Sequence, residues 1–382
     1  MTKRLLIIST EVSGMNKYLF GALENLGWEI MIEDVPDPWL CRWFALFLSF
    51  NINMRQWKQG FEVNSIKVSK MGWVFKQRSR YAQKMIQKHS GNFDLIFQIS
   101  SMFAPFVDLP RSRENASVKK IKYVLMIDYT TALSKDYPGW APFKSELKKR
   151  LFLEKLVLGN AELIFSTSEN TRRSLIEHYG VDPQKVVTTG YGLNLDNLKV
   201  FNKEYDGKTI LFIGMDFERK GGFVLLEAFK KVREEIPQAR LIIIGPNKDI
   251  YRIEGEGVES LGNISDRNMI EKFYEEASLF VMPSLCEPFG LVFLEAMSYK
   301  IPCIAANRDA MPEIIKDGKN GFLVPPGDSQ ALADRIIVLL KDKVYMKRLG
   351  DNARDFVEKN FLWKKVVSRI EHSLNGIIQE RN

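Results

Sequence analysis

The sequence predicts an α/β protein of two domains, each built from a parallel sheet covered by helices. The 382 residues exceed what one hydrophobic core normally serves. Short apolar runs alternate with helical patterns along almost the whole chain, as in proteins made of strand–helix–strand units. A segment rich in Gly, Asn and Asp, residues 188–208, interrupts this alternation. Two similar α/β domains imply a cleft between them, which is a usual place for a small-molecule site.

Apolar runs of strand length occur in both halves of the chain. In the first half they lie at 4–10, 29–35, 93–100, 122–128 and 162–168. Helical patterns fall between them, for example at 16–27, 78–89 and 170–180. In the second half the predicted strands lie at 208–215, 239–245, 278–284 and 302–307. The run at 361–379 predicts a helix that closes the chain.

Charge is distributed unevenly along the chain. The net charge is +8, and residues 1–200 hold 28 Lys and Arg against 19 Asp and Glu, so the basic excess lies in the first half. A basic half indicates an anionic partner (membrane surface, nucleic acid or acidic sugar) or a solvated face that only aids solubility.

Cysteine usage and hydropathy point to the cytoplasm. Three cysteines without a CxxC pair encode neither a disulfide framework nor a zinc site, which favours a reducing compartment. The N-terminal apolar run is too short for a secretory signal, and no run approaches the ~18 residues of a membrane span.

The stretch CEPFGLVFLEA, residues 286–296, combines two glutamates with a predicted helix start. Pro288 and Gly290 precede a helical run, so the N–H groups of Phe289, Gly290 and Leu291 are predicted to be available to an anion. Glu295 would lie further along this helix. A ligand with a phosphate at one end and hydroxyls nearby, such as a nucleotide, suits the arrangement.

Three segments together resemble the C-terminal domain of the retaining glycosyltransferases of family 4. They are EPFGLVFLEA (287–296), GMDFERKGG (214–222) and PEIIKDGKNGFLVPPGD (312–328). The resemblance implies the GT-B architecture, in which two Rossmann-like domains face each other across a cleft. It implies an acceptor-side domain at 1–190, a nucleotide-sugar domain at 191–360, and a C-terminal helix at 361–382 that packs back on the first domain.

The resemblance assigns donor contacts in the second domain. Glu295 would bind the ribose hydroxyls, Glu287 would face the transferred sugar, and the amides at 289–291 would hold the diphosphate. Lys220 stands at the family's lysine position. Arg219 is a second candidate cation, because the family often has arginine directly after the strand-ending glycine, where this chain has Met215. The nucleobase would pack near Asn263 and Ile264.

The first domain departs from the family pattern at two places. Gly14 occupies the phosphate-approaching loop, where members usually carry two adjacent glycines; a simple turn is the alternative. The family's His-Asp pair after the fourth strand reads Ile127-Asp128 here. Asp128 is therefore either a catalytic residue that removes a proton or positions the acceptor, or a strand-end cap of the next turn. Together with Glu287 and Lys220 it completes the predicted catalytic set.

The segment DPWLCRWFALFLSF, residues 37–50, predicts an apolar helix with Trp39 and Trp43 on one broad face. The stretch Lys67–Lys88 follows with seven basic residues and no acid. Aromatic anchors beside basic residues suit an anionic membrane surface and a lipid-linked acceptor. The alternative is a core helix beside a solvated basic helix.

These observations predict a retaining glycosyltransferase, a hexosyltransferase that moves a sugar from a nucleoside diphosphate sugar to an acceptor hydroxyl. We expect no cofactor and no metal, because the sequence lacks an Asp-x-Asp motif and a metal-ligand cluster. Cell-envelope glycan or glycolipid synthesis, in the cytoplasm or peripherally on the inner face of the membrane, is the expected setting. The alternatives are a glycosyltransferase acting on DNA bases and a non-catalytic nucleotide-sugar-binding relative.

Overall fold

The computed structural model describes residues 3–10, 16–104, 123–137, 139–195, 198–199 and 202–379. The chain contacts divide into two compact units. Unit 1 comprises Met1–Gly192 together with Trp363–Asn382, and unit 2 comprises Leu193–Leu362. The C-terminal helix thus belongs to the unit that contains the N-terminus.

Unit 1 is built on a parallel sheet with strand order β2-β1-β3-β4-β5-β6. Its strands are β1 (Lys3–Ser9), β2 (Trp28–Asp34), β3 (Leu95–Ile99), β4 (Tyr123–Ile127), β5 (Leu163–Ser166) and β6 (Val186–Thr188). The central strands β3 and β4 are buried at every position, because helices cover both faces of a parallel sheet.

The helices of unit 1 connect these strands, and the last of them closes the chain. They are α1 (Asn16–Glu24), α2 (Leu40–Ser49), α3 (Met54–Ser69), α4 (Gly72–Lys88), α5 (Thr131–Ser134), α6 (Lys144–Asn160), α7 (Glu169–Tyr179) and the C-terminal helix (Trp363–Gln379). The C-terminal helix packs against α1. Arg369 on this helix also hydrogen-bonds the Thr189 carbonyl.

Unit 2 has a second parallel sheet with strand order β12-β11-β10-β7-β8-β9. Its strands are β7 (Thr209–Ile213), β8 (Arg240–Ile244), β9 (Val258–Gly262), β10 (Leu279–Met282), β11 (Cys303–Ala306) and β12 (Gly321–Val324). Its helices are α8 (Gly222–Glu235), α9 (Arg267–Glu276), α10 (Leu291–Ser298), α11 (Met311–Ile314), α12 (Ser329–Lys341) and α13 (Lys343–Asn360). The C-terminal helix of unit 1, Trp363–Gln379, is α14.

The predicted fold class is confirmed, since both units are Rossmann-like domains with parallel sheets. The sequence analysis did not predict three strands, β6, β9 and β12, and each of them forms the edge of its sheet. Edge strands are paired on one side only: β6 has only three residues, β9 carries Glu259 and Ser260 within it, and β12 begins with glycine, so none of them shows a long continuous apolar run. In unit 2, the loops that follow β7, β9 and β10 leave the same edge of one sheet, which places the predicted donor residues together.

Candidate donor site and acceptor-side cavity

The loop after β7, residues 214–222, is shaped by its own acid and by a glycine. Asp216 accepts hydrogen bonds at Oδ1 from the Arg219 amide (3.1 Å) and at Oδ2 from Arg219 Nε (3.0 Å). Gly221 has a φ of +74°, and a Cβ there would lie 2.0 Å from the Pro283 carbonyl oxygen. Only glycine therefore lets this loop approach the end of β10 so closely.

Lys220 and Glu287 form a buried ion pair in unit 2. The Lys220 ammonium donates to Glu287 Oε2, which also accepts from Ser284 Oγ at 3.2 Å and lies 3.8 Å from Arg219 Nη1. Burial alone would raise the pKa of Glu287, but the charges of Lys220 and Arg219 outweigh burial and lower it. The carboxylate is therefore held ionised, with Oε1 accepting no hydrogen bond from any residue that the structure describes.

Arg219 ties two loops of the candidate site together. Its Nη1 donates to the Cys286 carbonyl oxygen at 2.7 Å, and its own carbonyl accepts from the Leu285 amide at 2.7 Å. Arg219 is 7% exposed, and in this structure its guanidinium holds the 214–222 loop against the loop that carries Glu287. Contact of Arg219 with a diphosphate stays a prediction. Met215, at the position where the family often has arginine, is 69% exposed.

The helix predicted after Glu287 is present as α10, and its first residue is Leu291. Gly290 precedes it with a φ of +86°, and a Cβ there would lie 2.8 Å from Phe293 Cδ2 and 2.9 Å from Met311 Cε. No side chain caps this helix start, and the Phe293 amide donates to the Gly290 carbonyl at 2.9 Å, so the amides of Leu291 and Val292 are the first-turn groups available to an anion. The Phe289 side chain is buried and packs edge-on against Phe361 at 5.9 Å between ring centroids.

Glu295 lies on α10, and only one of its two carboxylate oxygens accepts hydrogen bonds from described residues. Its Oε2 accepts from Tyr274 Oη at 3.0 Å and from Arg267 Nη1 at 3.3 Å. Its Oε1 accepts no hydrogen bond from the described residues, so a ligand hydroxyl can donate to it. Burial raises the pKa of Glu295, although Arg267 and Tyr274 favour the ionised form. Arg267 and Tyr274 both lie on α9, and no motif in the sequence singled them out.

Asn263 and Ile264 lie in the loop between β9 and α9. Asn263 is exposed and Ile264 is half-buried. This loop belongs to the same unit and the same carboxyl sheet edge as Lys220 and Glu287. Arg267, three residues after Ile264, reaches Glu295 and so links this loop to α10.

The two predicted residues of the first domain have different outcomes. Gly14 lies outside the described residues. Asp128 directly follows β4 and lines a cavity of about 230 Å³ within unit 1, together with Lys70, Trp140, Arg150 and Glu154. Burial raises the pKa of the Asp128 carboxyl, while the nearby Lys70 lowers it to a smaller extent. The structure thus places Asp128 beside a ligand-sized space, and its catalytic role stays a prediction.

The aromatic helix predicted at 37–50 is α2, and its large side chains point to solvent. We call the exposed set the aromatic face; its members are Trp39, Leu40, Trp43, Phe44, Phe47, Leu48 and Phe50. The buried side of α2 consists of the small residues Cys41, Ala45 and Ser49, which allow close packing against α3. The core-helix alternative is therefore wrong for the large aromatic residues of α2.

The basic stretch 67–88 does not form one solvated surface. Arg78 is buried and pairs with Asp37, and Lys88 pairs with Glu33 at 3.0 Å. Lys70 lines the unit 1 cavity. The stretch Lys67–Lys88 therefore cannot present all seven of its cations to a membrane surface, because Arg78 is buried and Lys70 lines a cavity. The exposed remainder on α4 is Lys76, Arg80, Lys84 and Lys88.

Within the described part of the chain, no helix combines the length and the apolar character that crossing a membrane requires.

Two family models match consecutive parts of the chain. "Glycosyltransferase Family 4" matches residues 55–197, and "Glycosyl transferases group 1" matches residues 196–356. The chain belongs to the family 4 glycosyltransferases. The resemblance found in the sequence is thereby confirmed.

Individual proteins are similar over different shares of the chain. A phosphatidyl-myo-inositol mannosyltransferase of Mycobacterium leprae is 32% identical over 216 residues, which are 54% of this chain and 56% of the relative. The chain thus matches little more than half the length of that relative. Sucrose-phosphate synthase from Thermosynechococcus elongatus has the same fold at a TM-score of 0.70 and 19% identity, over 99% of this chain and 100% of that one. Anabaena HepE, solved in complex with UDP-glucose, has a TM-score of 0.67 at 16% identity over 98% and 99% of the two chains.

Proposed function

We propose that this protein is a retaining, metal-independent glycosyltransferase that moves a hexose-type sugar from a nucleoside diphosphate sugar to an acceptor hydroxyl. The observation that carries the proposal is the Lys220–Glu287 ion pair. It lies at the carboxyl edge of the unit 2 sheet, and Glu287 is in the loop that leads into α10. This set brings a cation, a carboxylate and uncapped helix amides together, which is the chemistry that a sugar diphosphate requires.

The leaving group sets the main electrostatic demand on the site. Breaking the bond between the anomeric carbon and the diphosphate oxygen leaves a multiply charged anion. Lys220 and the first-turn amides of α10 would stabilise this growing charge, since both are fixed before the reaction begins. In the free protein the Lys220 ammonium is paired with Glu287. The donor diphosphate would therefore compete with Glu287 for this ammonium.

The two carboxylates of the site would bind different parts of the donor. Glu295 Oε1 would accept from a ribose hydroxyl, with Tyr274 and Arg267 fixing the orientation of the carboxylate. Glu287 Oε1 would accept from a hydroxyl of the transferred sugar. The main chain near Asn263 and Ile264 would pack against the base. HepE binds UDP-glucose, so a uridine diphosphate sugar is the first donor to test.

Retention of configuration and metal independence rest on the resemblance to retaining transferases and on the use of Lys220 as the counter-charge. Asp128 would position the acceptor hydroxyl or take its proton. The anomeric configuration of the product, read by NMR coupling constants, tests retention directly. Full activity in the presence of a chelator tests metal independence.

We propose that the acceptor side works at a membrane surface in glycolipid or cell-envelope synthesis. The mannosyltransferase relative is named for a phosphatidylinositol acceptor. The aromatic face of α2 is exposed, and Trp43 is 65% accessible. Residues 38–61 contain Arg42, Arg55 and Lys58 and no acid, and all three cations are exposed, so their charge is complementary to anionic lipid.

The proposed activity is tested with purified protein and a panel of nucleoside diphosphates and their sugars. A thermal-shift screen identifies the base, and release of the nucleoside diphosphate from the matching sugar donor measures turnover. Turnover that requires Lys220 supports the proposal. A protein that binds the donor without any transfer or hydrolysis would instead be a non-catalytic relative, and tight salt-sensitive binding to duplex DNA without binding to anionic vesicles would favour the nucleic-acid alternative.

A further inference from the structure

The unit 1 cavity contains a buried cation whose hydrogen-bonding capacity is only partly used. Arg150 on α6 lines the cavity and is 2% exposed. Its Nη2 donates to the Ser101 carbonyl at 3.1 Å, to Ser101 Oγ at 2.9 Å and to Glu154 Oε1 at 3.4 Å. Its Nε and Nη1 have no hydrogen-bond partner among the described residues and are shielded from solvent, with the guanidinium 5.9 Å from the Phe75 ring centroid, so a ligand oxygen reaches them only if the guanidinium shifts. Buried guanidinium groups normally have hydrogen-bond acceptors for their N–H groups, and in the part of the chain that the structure describes Arg150 lacks acceptors for Nε and Nη1.

Glu154 neutralises Arg150 but cannot supply the missing acceptors. Its Oε1 accepts from Ser101 Oγ at 2.6 Å as well as from Arg150. Its Oε2 accepts from the Thr131 amide at 2.8 Å and from the Tyr179 hydroxyl. Both oxygens are thus engaged by fixed donors, and Glu154 holds one side of the guanidinium in place.

Other features of the cavity wall add to the case for a ligand. Lys70 lines the same space as Arg150, so two cations border it. Ser100, directly after β3, lines it and has a φ of +85°. A non-glycine residue in this region is strained, and such strain is concentrated at functional sites.

We propose that this cavity binds the anionic group of the acceptor, a phosphate or a carboxylate on a small polyol or sugar, through Arg150 and Lys70. The inference rests on the proposed function only where it calls the ligand the acceptor. Binding of an anion in this cavity does not depend on that function. Planar guanidinium N–H groups match the oxygens of phosphate and carboxylate, and a buried position makes such a contact strong. Asp128, on the same wall, would then face a hydroxyl of the bound acceptor.

The size and polarity of the cavity fit this class of ligand. A volume of about 230 Å³ holds a small polyol or monosaccharide derivative rather than an oligosaccharide. The wall combines the two cations with hydroxyl-bearing residues such as Ser100 and Thr131 and with the aromatic Trp140. The hydroxyl groups of a polyol can hydrogen-bond to Ser100 and Thr131, and its carbon skeleton can pack on Trp140.

The first experiment measures anion binding apart from the donor site. Calorimetric titrations use inorganic phosphate, glycerol 3-phosphate and succinate, with glycerol as the neutral control, in a Lys220→Ala background that removes the donor-site cation. We expect glycerol 3-phosphate and at least one of the other anions to bind and glycerol not to bind. Lys70→Met should weaken the binding of these anions at least tenfold. Lys67→Met, three residues earlier on the same chain segment and absent from the cavity wall, should leave it unchanged.

A second variant and a kinetic measurement complete the test. Arg150→Gln should weaken anion binding at least as much as Lys70→Met; if it fails to fold, Lys70→Met decides alone. In transfer assays with polyols offered neutral, as phosphates and as carboxylates, the anionic compounds should be accepted, and Lys70→Met should raise the acceptor KM at least tenfold while kcat is largely kept. Comparison of glycerol 3-phosphate with phosphatidylglycerol in phosphatidylcholine vesicles separates a free acceptor from a lipid headgroup.

Two results would overturn the inference. One is the absence of anion binding in the Lys220→Ala protein, or binding that Lys70→Met leaves intact. The other is transfer to neutral polyols alone. Failure of the donor assignment would look different, because the wild-type protein would then bind phosphate at this cavity but would not bind any nucleoside diphosphate.

Discussion

At the scale of single residues, Lys220 is the group on which the proposed chemistry depends most. Its ammonium is held by Glu287, and in the proposed reaction it would stabilise the leaving diphosphate. We predict that Lys220→Ala lowers kcat by roughly 10²-fold or more, because that charge develops in the transition state. Lys230→Ala, which removes an exposed lysine from α8, is the matched control and should keep normal turnover. Steady-state assays that give equal kcat values for both variants would remove Lys220 from the site.

Glu295 should affect donor binding rather than turnover. Its open Oε1 is predicted to hold the ribose, so Glu295→Ala should raise the donor KM and leave kcat nearly unchanged. Glu271→Ala is the control, because Glu271 lies 3.9 Å from Arg267 Nε on the same helix and is not predicted to touch the donor. An unchanged donor KM in the Glu295 variant would contradict the assignment.

The pKa of Glu295 predicts a pH effect with a definite sign. The folded protein raises this pKa above the ordinary value of 4.5 because the group is buried. The unfolded chain therefore ionises first as the pH rises, and the wild type should lose stability relative to Glu295→Gln between pH 4.5 and the raised value. Urea unfolding of both proteins across this range measures the difference. A difference that stays constant with pH would show that the folded pKa is not raised.

The sequence identified candidate site residues but could not identify the side chains that pair with them. Lys220, Glu287 and Glu295 lie in motifs that can be recognised in the sequence from the spacing of their residues. The pairing of Lys220 with Glu287 joins residues 67 positions apart, and the contacts of Arg267 and Tyr274 with Glu295 come from a separate helix. Arg150 and Glu154 look like an ordinary helical ion pair in sequence; only burial and the missing acceptors distinguish Arg150.

At the scale of elements, α2 has an exposed aromatic face, which we propose binds lipid, and a buried face of small residues. We predict that Trp43→Ser changes the free energy of unfolding by no more than about 0.5 kcal/mol, as is usual for exposed positions. The same variant should reduce co-sedimentation with phosphatidylglycerol vesicles, and wild-type binding should fall as salt rises. Trp28→Ser, which truncates a buried tryptophan, should cost about 3–5 kcal/mol. A wild-type protein that never sediments with these vesicles would end the membrane proposal.

The start of α10 depends on a glycine that no other residue replaces without strain. We predict that Gly290→Ala costs about 1–3 kcal/mol, because of its φ of +86° and the contacts a Cβ would make with Phe293 and Met311. It should also weaken nucleoside diphosphate binding by moving the first-turn amides. Gly159→Ala, in α6 with no atom within 4 Å of the added Cβ, should instead stabilise by about 0.5–1 kcal/mol. Equal chemical denaturation midpoints for both variants would contradict this account.

Elements were predictable where the pattern of burial is strong. The interior strands of both sheets have continuous apolar runs, and all were predicted. The direction in which α2 turns its aromatic residues was not predictable, because an apolar face of that width suits a core as well as a lipid surface. The deciding feature is the small-residue face of Cys41, Ala45 and Ser49, which packs on α3 and leaves the large residues outside.

At the scale of the whole molecule, the described residues of the proposed donor site all belong to unit 2, and the cavity proposed for the acceptor belongs to unit 1. A ligand that binds one unit stabilises that unit first, and at about 100 times its dissociation constant it adds ~2.7 kcal/mol. The central claim is that a nucleoside diphosphate sugar binds through the 214–222 loop and the start of α10.

Hydrogen–deuterium exchange with and without saturating nucleoside diphosphate tests this claim most directly. We predict slowed exchange in peptides that cover residues 214–222 and 284–296, and loss of that protection in Lys220→Ala. Protection confined to peptides of unit 1, or none in these two segments under conditions where the nucleotide is shown to bind, would contradict the account.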